Sequence, residues 1–176
     1  MSERVALYDP DDPQGRVVGA ASRERMRREN LPHGAASVLV RRGSGEVFVH
    51  RRSEAKDVWP GHHDCFAGGV IGAGEDPDVA VRRELAEELG IAGVEPAPVL
   101  RRWFHDEQVR ALSFVYAVVW DGAVRFADGE VAAGRWERPD RLYERLQDPS
   151  WPFVPDGREL LGLPAIEALL RSAPGA

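Results

Sequence analysis

The chain has 176 residues, is 43% hydrophobic and 30% charged, and carries a formal net charge of −6 with a pI near 5.4. That length makes a single domain over residues 1–176 the expectation, with apolar content sufficient for a packed core, and the acidic balance argues against a general binder of nucleic-acid phosphates. Cys65 is the only cysteine, which excludes an intrachain disulfide and a cysteine zinc cluster. Met1 to Gly15 has no apolar run of the signal-peptide kind, and no stretch reaches transmembrane length. A soluble, cytoplasmic protein is expected. Lys56 is the only lysine; the arginines that supply the remaining positive charge suit bidentate phosphate contacts, but a GC-rich coding bias explains them more simply.

In chain order, Val5–Tyr8 and Val17–Ala20 flank the turn cluster Asp9 to Gly15 and read as an N-terminal hairpin. Ser22 caps a basic helix from Arg23 to Asn30 with Met26 as its main apolar residue, ended by Pro32. Ala35–Arg42 and Glu46–Arg52 read as strands around the Gly43-Ser44-Gly45 loop. Ser53 to Gly68 reads as a long irregular segment, and loops of that length are usually functional. A helix is expected from about Asp76 to Leu89, with Pro77 in its first turn and Gly90 as its stop. Val99–His105 and Ala111–Trp120 read as a second antiparallel pair, followed by a turn at Asp121-Gly122, a loop from Ala127 to Gly134 and a short strand at Trp136. Pro139–Gln147 reads as a helix, and so does a final segment opening at Asp156 or Gly157 and interrupted by Pro164. Hairpins, helix, hairpins and terminal helix imply an α/β fold, a mixed sheet with helices on both faces.

The segment Gly69 to Ile91 stands apart. It is a glycine-rich loop, an acidic residue, and a helix bearing Glu84, Glu87 and Glu88 at i, i+3 and i+4. Those three fall on one face, while Val79, Val81, Leu85, Ala86 and Leu89 fall on the other and should meet a core. Like charges on one stripe repel, and a cation among them reverses the sign of that energy. Hard divalent cations prefer carboxylate oxygens, and Mg²⁺ typically combines a few carboxylates with substrate phosphates.

The segment resembles the Nudix box, G-x5-E-x7-R-E-U-x-E-E-x-G-U with U aliphatic. Gly69, Glu75, Arg83, Glu84, Leu85, Glu87, Glu88, Gly90 and Ile91 fill every specified position. The resemblance implies the Nudix α/β/α sandwich, here with an N-terminal β-hairpin extension over residues 1–30. It implies a Mg²⁺- or Mn²⁺-dependent pyrophosphohydrolase acting on a nucleoside diphosphate linked to another moiety. By resemblance Glu84, Glu87 and Glu88 are metal ligands, Glu75 is an outer or structural partner, and Arg83 pairs with a box glutamate and fixes its rotamer. The residue that activates water varies across the family; Glu84 or Glu87 within the box, or Glu130 in a later loop, are the candidates. An arginine at the end of the strand before the long loop contacts phosphate in similar proteins. Arg51 and Arg52 occupy that place, only one can point into the cleft, and Arg51 is favoured. Trp103, Phe104 and His105 are candidates for stacking on a base, against the commoner role of core or strand surface. His62, His63 and Cys65 read as a polar loop with a buried thiol, since no further spacing completes a transition-metal site.

The flanks, Val17 to Glu24, Arg51 to Gly61, Asp64 and Ala67 to Val70, resemble the Nudix branch related to isopentenyl-diphosphate isomerase, in particular its bacterial hydrolase-like members. Isomerisation is therefore a rival reaction. Aligned on Gly74-Glu75, however, the isomerase cysteine falls near Gly68 and its metal-binding histidine near Val70, so both groups are missing. A non-catalytic nucleotide sensor would usually have lost box glutamates, and an RNA-decapping role sits poorly with the acidic charge. The expected partners are a small nucleotide or diphosphate substrate and possibly a second copy in a homodimer, with no membrane or nucleic acid.

Overall fold

The computed structural model describes residues 3–172. The elements are β1 (Arg4–Tyr8), β2 (Val17–Ser22), α1 (Arg23–Arg28), β3 (His33–Arg41), β4 (Val47–Arg52), β5 (His63–Asp64), β6 (Phe66–Val70), α2 (Pro77–Leu89), β7 (Ala97–His105), β8 (Arg110–Val119), β9 (Val131–Glu137), α3 (Pro139–Leu146), α4 (Pro155–Leu161) and α5 (Pro164–Arg171).

The sheet is assembled on β3, whose segment Ala35–Val40 has Ser37 as its one polar residue and no regular alternation because both of its faces are covered. Along one edge β3 pairs in parallel with β8, from His33↔Ala111 to Arg41↔Val119. Along the other it pairs antiparallel with β6, from Ala35↔Val70 to Leu39↔Phe66. β7 lies antiparallel on β8, β9 and β5 flank β4, and the β1–β2 hairpin joins through Leu7↔His33. On one face α2 presses Ala80, Val81, Leu85 and Leu89 onto Ala36, Val38, Leu112 and Phe114. On the other, Leu142, Leu160, Leu161, Ile166 and Leu170 of the three last helices cover Leu39, Val49, Phe66 and Val115. Each fully buried side chain of this size contributes about 1.5–3 kcal/mol, so both layers hold the sheet. The result is an α/β/α sandwich with a mixed sheet and an N-terminal hairpin.

Several expectations change. The irregular stretch after β4 is shorter than Ser53 to Gly68, because β5 and β6 lie inside it; the glycines that hide β6 from a strand reading let it approach its neighbours closely. The β3–β4 hairpin is joined only at Arg41↔Val47, after which the two strands diverge into different ladders. Helix α1 stops at Arg28, well before Pro32: Asn30 turns left-handed (φ 45°) and the Leu31 N–H closes on the Met26 carbonyl. Val79 is 48% exposed rather than core-facing, and Ala80 takes the buried position.

Candidate active site

Helix α2 is delimited at both ends. The Asp76 carboxylate accepts the Asp78 N–H (2.8 Å), Pro77 starts the first turn, and Gly90 closes the last in a left-handed conformation (φ 65°). Within that helix, Glu84 and Glu88 are one turn apart and point at β6, while Glu87 turns outward. Glu84 is 8% exposed and Glu88 2%, whereas the Glu87 side chain is 51% exposed. The close approach requires glycine on the strand. A Cβ on Gly69 would lie 2.5 Å from Glu84 Oε1, and one on Gly68 would lie 1.9 Å from the Ala36 carbonyl oxygen. The Gly68 N–H donates to Glu88 Oε2 (2.9 Å).

Two cations hold these carboxylates. Arg83 forks onto Glu75 through Nε (2.8 Å) and Nη2 (3.0 Å), and its Nη1 donates to Glu84 (2.7 Å) and Glu87 (3.0 Å). Glu75 also accepts the Gly72 N–H (2.8 Å), and the Arg83 guanidinium holds its carboxyl below the usual range. Lys56 donates to Glu88 (2.9 Å) and forms an ion pair with Glu130, whose loop is tied to the β4 end by the Ser53 N–H to the Glu130 carbonyl. Burial pushes Glu84 up to about 7, with Arg83 opposing and Glu88 and Glu87 adding to the rise. Burial also raises Glu88, against Lys56.

Among the described residues, no three Asp, Glu, His or Cys side chains converge tightly enough to hold an ion in this conformation, because Arg83 and Lys56 are seated among the glutamates. The donor set nonetheless fits a hard divalent cation. Five carboxylates, Glu75, Glu84, Glu87, Glu88 and Glu130, face those two cations, and every available ligand atom is oxygen. Glu84, Glu87 and Glu88 are the residues that would hold it, after exchanging the Arg83 and Lys56 contacts.

Beside the glutamates lies a cavity of about 90 Å³. Its lining includes the cations Arg23, Arg27, Arg52 and Lys56, the rings of Trp59 and Phe66, and the carboxylates Asp64 and Asp156. Arg52, not Arg51, enters it. The alternation of β4 turns Arg51 outward to Glu54 (3.2 Å), while Arg52 Nη2 donates to the Val58 carbonyl (2.9 Å). Trp103 does not reach the cavity: it packs on the α2 side of the sheet, while its neighbour Phe104 meets Trp59 edge-on at 5.9 Å. His63 Nδ1 accepts the Trp151 indole N–H (3.0 Å), and burial pushes the Cys65 thiol well above its ordinary value, which disfavours its thiolate. Sequence reasoning did not single out Asp64, Asp156, Arg23, Arg27 or Lys56 for the site. Only Lys56 carried a usable signal, as the lone lysine of an arginine-rich chain.

An α/β/α sandwich that seats buried helical glutamates against a glycine-rich strand gathers oxygen ligands suited to a hard cation. Comparison with known proteins supplies the class. Residues 31–157 match the NUDIX domain family model. The chain is 41% identical over 169 residues to an uncharacterised Nudix hydrolase of Rhodococcus erythropolis, covering 90% of each chain. It is 37% identical over 150 residues to the Nudix hydrolase YfcD of Escherichia coli K12, covering 85% of this chain and 81% of that one. A Deinococcus radiodurans crystal structure superposes with a TM-score of 0.75 at 26% identity, over 90% of this chain and 97% of the other. A MutT protein of Methanosarcina mazei shares the fold, with a TM-score of 0.64 at 20% identity over 80% of this chain and 96% of that one. The chain belongs to the Nudix hydrolase family, enzymes that act on phosphoric anhydride bonds, and a pyrophosphohydrolase activity follows from that membership.

Proposed function

We propose that this protein is a Mg²⁺- or Mn²⁺-dependent pyrophosphohydrolase that cleaves the diphosphate link of a nucleoside diphosphate joined to another moiety. The observation that carries the reading is the burial of Glu84 and Glu88 against the Gly68-Gly69 backbone, with Arg83 forked onto Glu75 beside them. A bound divalent cation supplies charge neutralisation on the diphosphate and a more acidic water. The chain's own groups do the rest. Arg83 fixes the Glu75, Glu84 and Glu87 rotamers, the positioning support that ligand carboxylates need. We assign the water proton to Glu84, among the candidates Glu84, Glu87 and Glu130, because it is enclosed against Gly69, which lines the cavity. The Glu130 side chain, 45% exposed, is paired with Lys56, which lines the cavity. Arg52 is the lining cation with no carboxylate within 4.0 Å among the described residues, and it is assigned to the substrate's anionic end.

Isomerase chemistry is not favoured. A side chain at Gly68 would strike the Ala36 carbonyl, so the missing cysteine cannot be restored there without moving the strand.

The test is a panel of nucleoside diphosphate derivatives with Mg²⁺, Mn²⁺ or EDTA. Nucleoside monophosphate or phosphate should appear only with metal. Tight binding across the panel with no turnover would establish a nucleotide-binding module instead.

A further inference from the structure

Lys56 is the only lysine of the chain, and it sits where carboxylates from two segments meet. Its Nζ donates to Glu88 Oε1 (2.9 Å) and pairs with Glu130; the lysine side chain is 10% exposed and that of Glu88 2%. The second oxygen of Glu88, Oε2, accepts the Gly68 N–H (2.9 Å). Oε1 is therefore both the oxygen that Lys56 neutralises and the one left for an ion. An ammonium and a divalent cation on the same oxygen repel at contact distance, so they occupy it in turn. A buried carboxylate stripped of its partner is costly, so Glu88 favours having one of the two.

The two cations of the site differ in how they can leave. Arg83 belongs to α2 itself; its fork holds Glu75 at 2.8 and 3.0 Å, and Nη1 bridges Glu84 and Glu87. Withdrawing it undoes all of these bonds at once. Lys56 is a point charge on a flexible stem, and it comes from a segment 32 positions away. The backbone around it is pinned on both sides. Asp57 pairs with Arg27 (2.9 Å) and Arg23 (3.6 Å), the Ala55 N–H donates to Ser53 Oγ (3.0 Å), and Arg52 Nη2 donates to the Val58 carbonyl (2.9 Å). Only the stem needs to turn. Room for it lies on the outer side, where Lys56 also lines an open depression of about 380 Å³ shared with Ser53, Asp128 and Glu130.

We propose that Lys56 is an exchangeable counter-cation of the site: its ammonium neutralises Glu88 and Glu130, and a divalent ion binding at Glu88 displaces it into the depression beside Asp128. The proposal rests on Glu88 being a metal ligand, as in the reading above, and adds the group that the ion must displace. Metal binding exposes Lys56 and frees Glu130 from it, and Lys56 in turn competes with the metal. It is a positioning residue that sets how much metal the site needs.

As the lone lysine, Lys56 reports its own release. Wild-type protein is acetylated with an N-hydroxysuccinimide ester in saturating Mn²⁺ or in EDTA, and the Lys56 peptide is quantified by mass spectrometry against the α-amino group. Mn²⁺ should speed Lys56 acetylation by about 5-fold or more, with the α-amino rate unchanged. Mn²⁺ affinity is read from the paramagnetic resonance of the free ion. Lys56→Met should bind Mn²⁺ about 5-fold more tightly or better, because a competitor has been removed. Arg51→Met removes an equal charge from an exposed pair without touching Glu88, and should change the affinity by less than about 2-fold. Mn²⁺ binding with Lys56 acetylation unchanged or slowed overturns the exchange and leaves the metal site standing. Equal or weaker Mn²⁺ binding by folded Lys56→Met does the same. If Lys56→Met does not fold, acetylation of the wild type decides. Absence of Mn²⁺ binding in both proteins overturns the metal site and the exchange together.

Discussion

Two groups of carboxylates, one built on the buried Glu84 and Glu88 and one on the buried Asp64, are handled in opposite ways in this molecule. The glutamates of α2 are compensated: Arg83 and Lys56 reach them at hydrogen-bond distance, and the Gly68 N–H completes Glu88. Among the described residues, Asp64 and Asp156 have no ion-pair partner, only the backbone N–H groups that they accept, with Arg52 at longer range. Burying a charge without a partner is costly, and such a group retains its proton instead. The first group is thus a site where one cation can replace another. In the second, burial raises both carboxyls and only Arg52 opposes from a distance.

The largest test of the contrast is Glu88→Gln. It keeps the Gly68 contact but removes a charge, and turnover should fall by about three orders of magnitude, the loss of several kcal/mol of charge stabilisation. Circular dichroism should be unchanged; full activity in this variant would remove Glu88 from the metal set. Arg83→Lys should follow, with a loss of about 10–100-fold in activity or metal affinity, because an ammonium cannot reproduce the fork onto Glu75. Steady-state kinetics against metal concentration separates the two.

The aspartates are probed through stability instead. Burial and the neighbouring Asp156 push the Asp64 carboxyl up, burial raises Asp156, and Arg52 opposes both. A carboxyl raised in the folded state contributes fully below its ordinary value and loses that contribution as pH climbs through the raised one. Wild type should therefore lose stability relative to Asp156→Asn as pH rises from about 4 to about 8. Thermal melts across that range read the difference, at about 2–4 °C per kcal/mol in a chain of this size; a gap that does not change with pH would show the pair to be an ordinary ionised couple. Arg51→Ala is the smallest effect. Its exposed pair with Glu54 is worth about 0–1 kcal/mol, and kcat/KM should stay within about 2-fold. A larger loss would return Arg51 to the cleft in place of Arg52.

Local pattern alone determined much of this protein. The spacing of Glu84, Glu87 and Glu88, the Asp76-Pro77 start and the Gly90 stop specify α2 and the metal-ready chemistry, because a helix converts sequence offsets directly into directions. The N-terminal hairpin and the β7–β8 pair were equally legible from adjacent apolar runs and turn residues. Contacts between distant segments were not. Whether Arg51 or Arg52 enters the cleft depends on how β4 is seated between β5 and β9. Strand alternation allows either choice, and only the assembled sheet decides. Lys56 reaches Glu88 across 32 positions, and Asp156 comes beside Asp64 only when α4 packs under the sheet. Gly68 and Gly69 resembled loop residues until the approach of Ala36 and Glu84 made them strand. The sequence determined which chemistry the helix can hold. Tertiary packing decided which polar groups line the cavity beside it, because pairing of buried polar groups depends on distances that no local pattern carries.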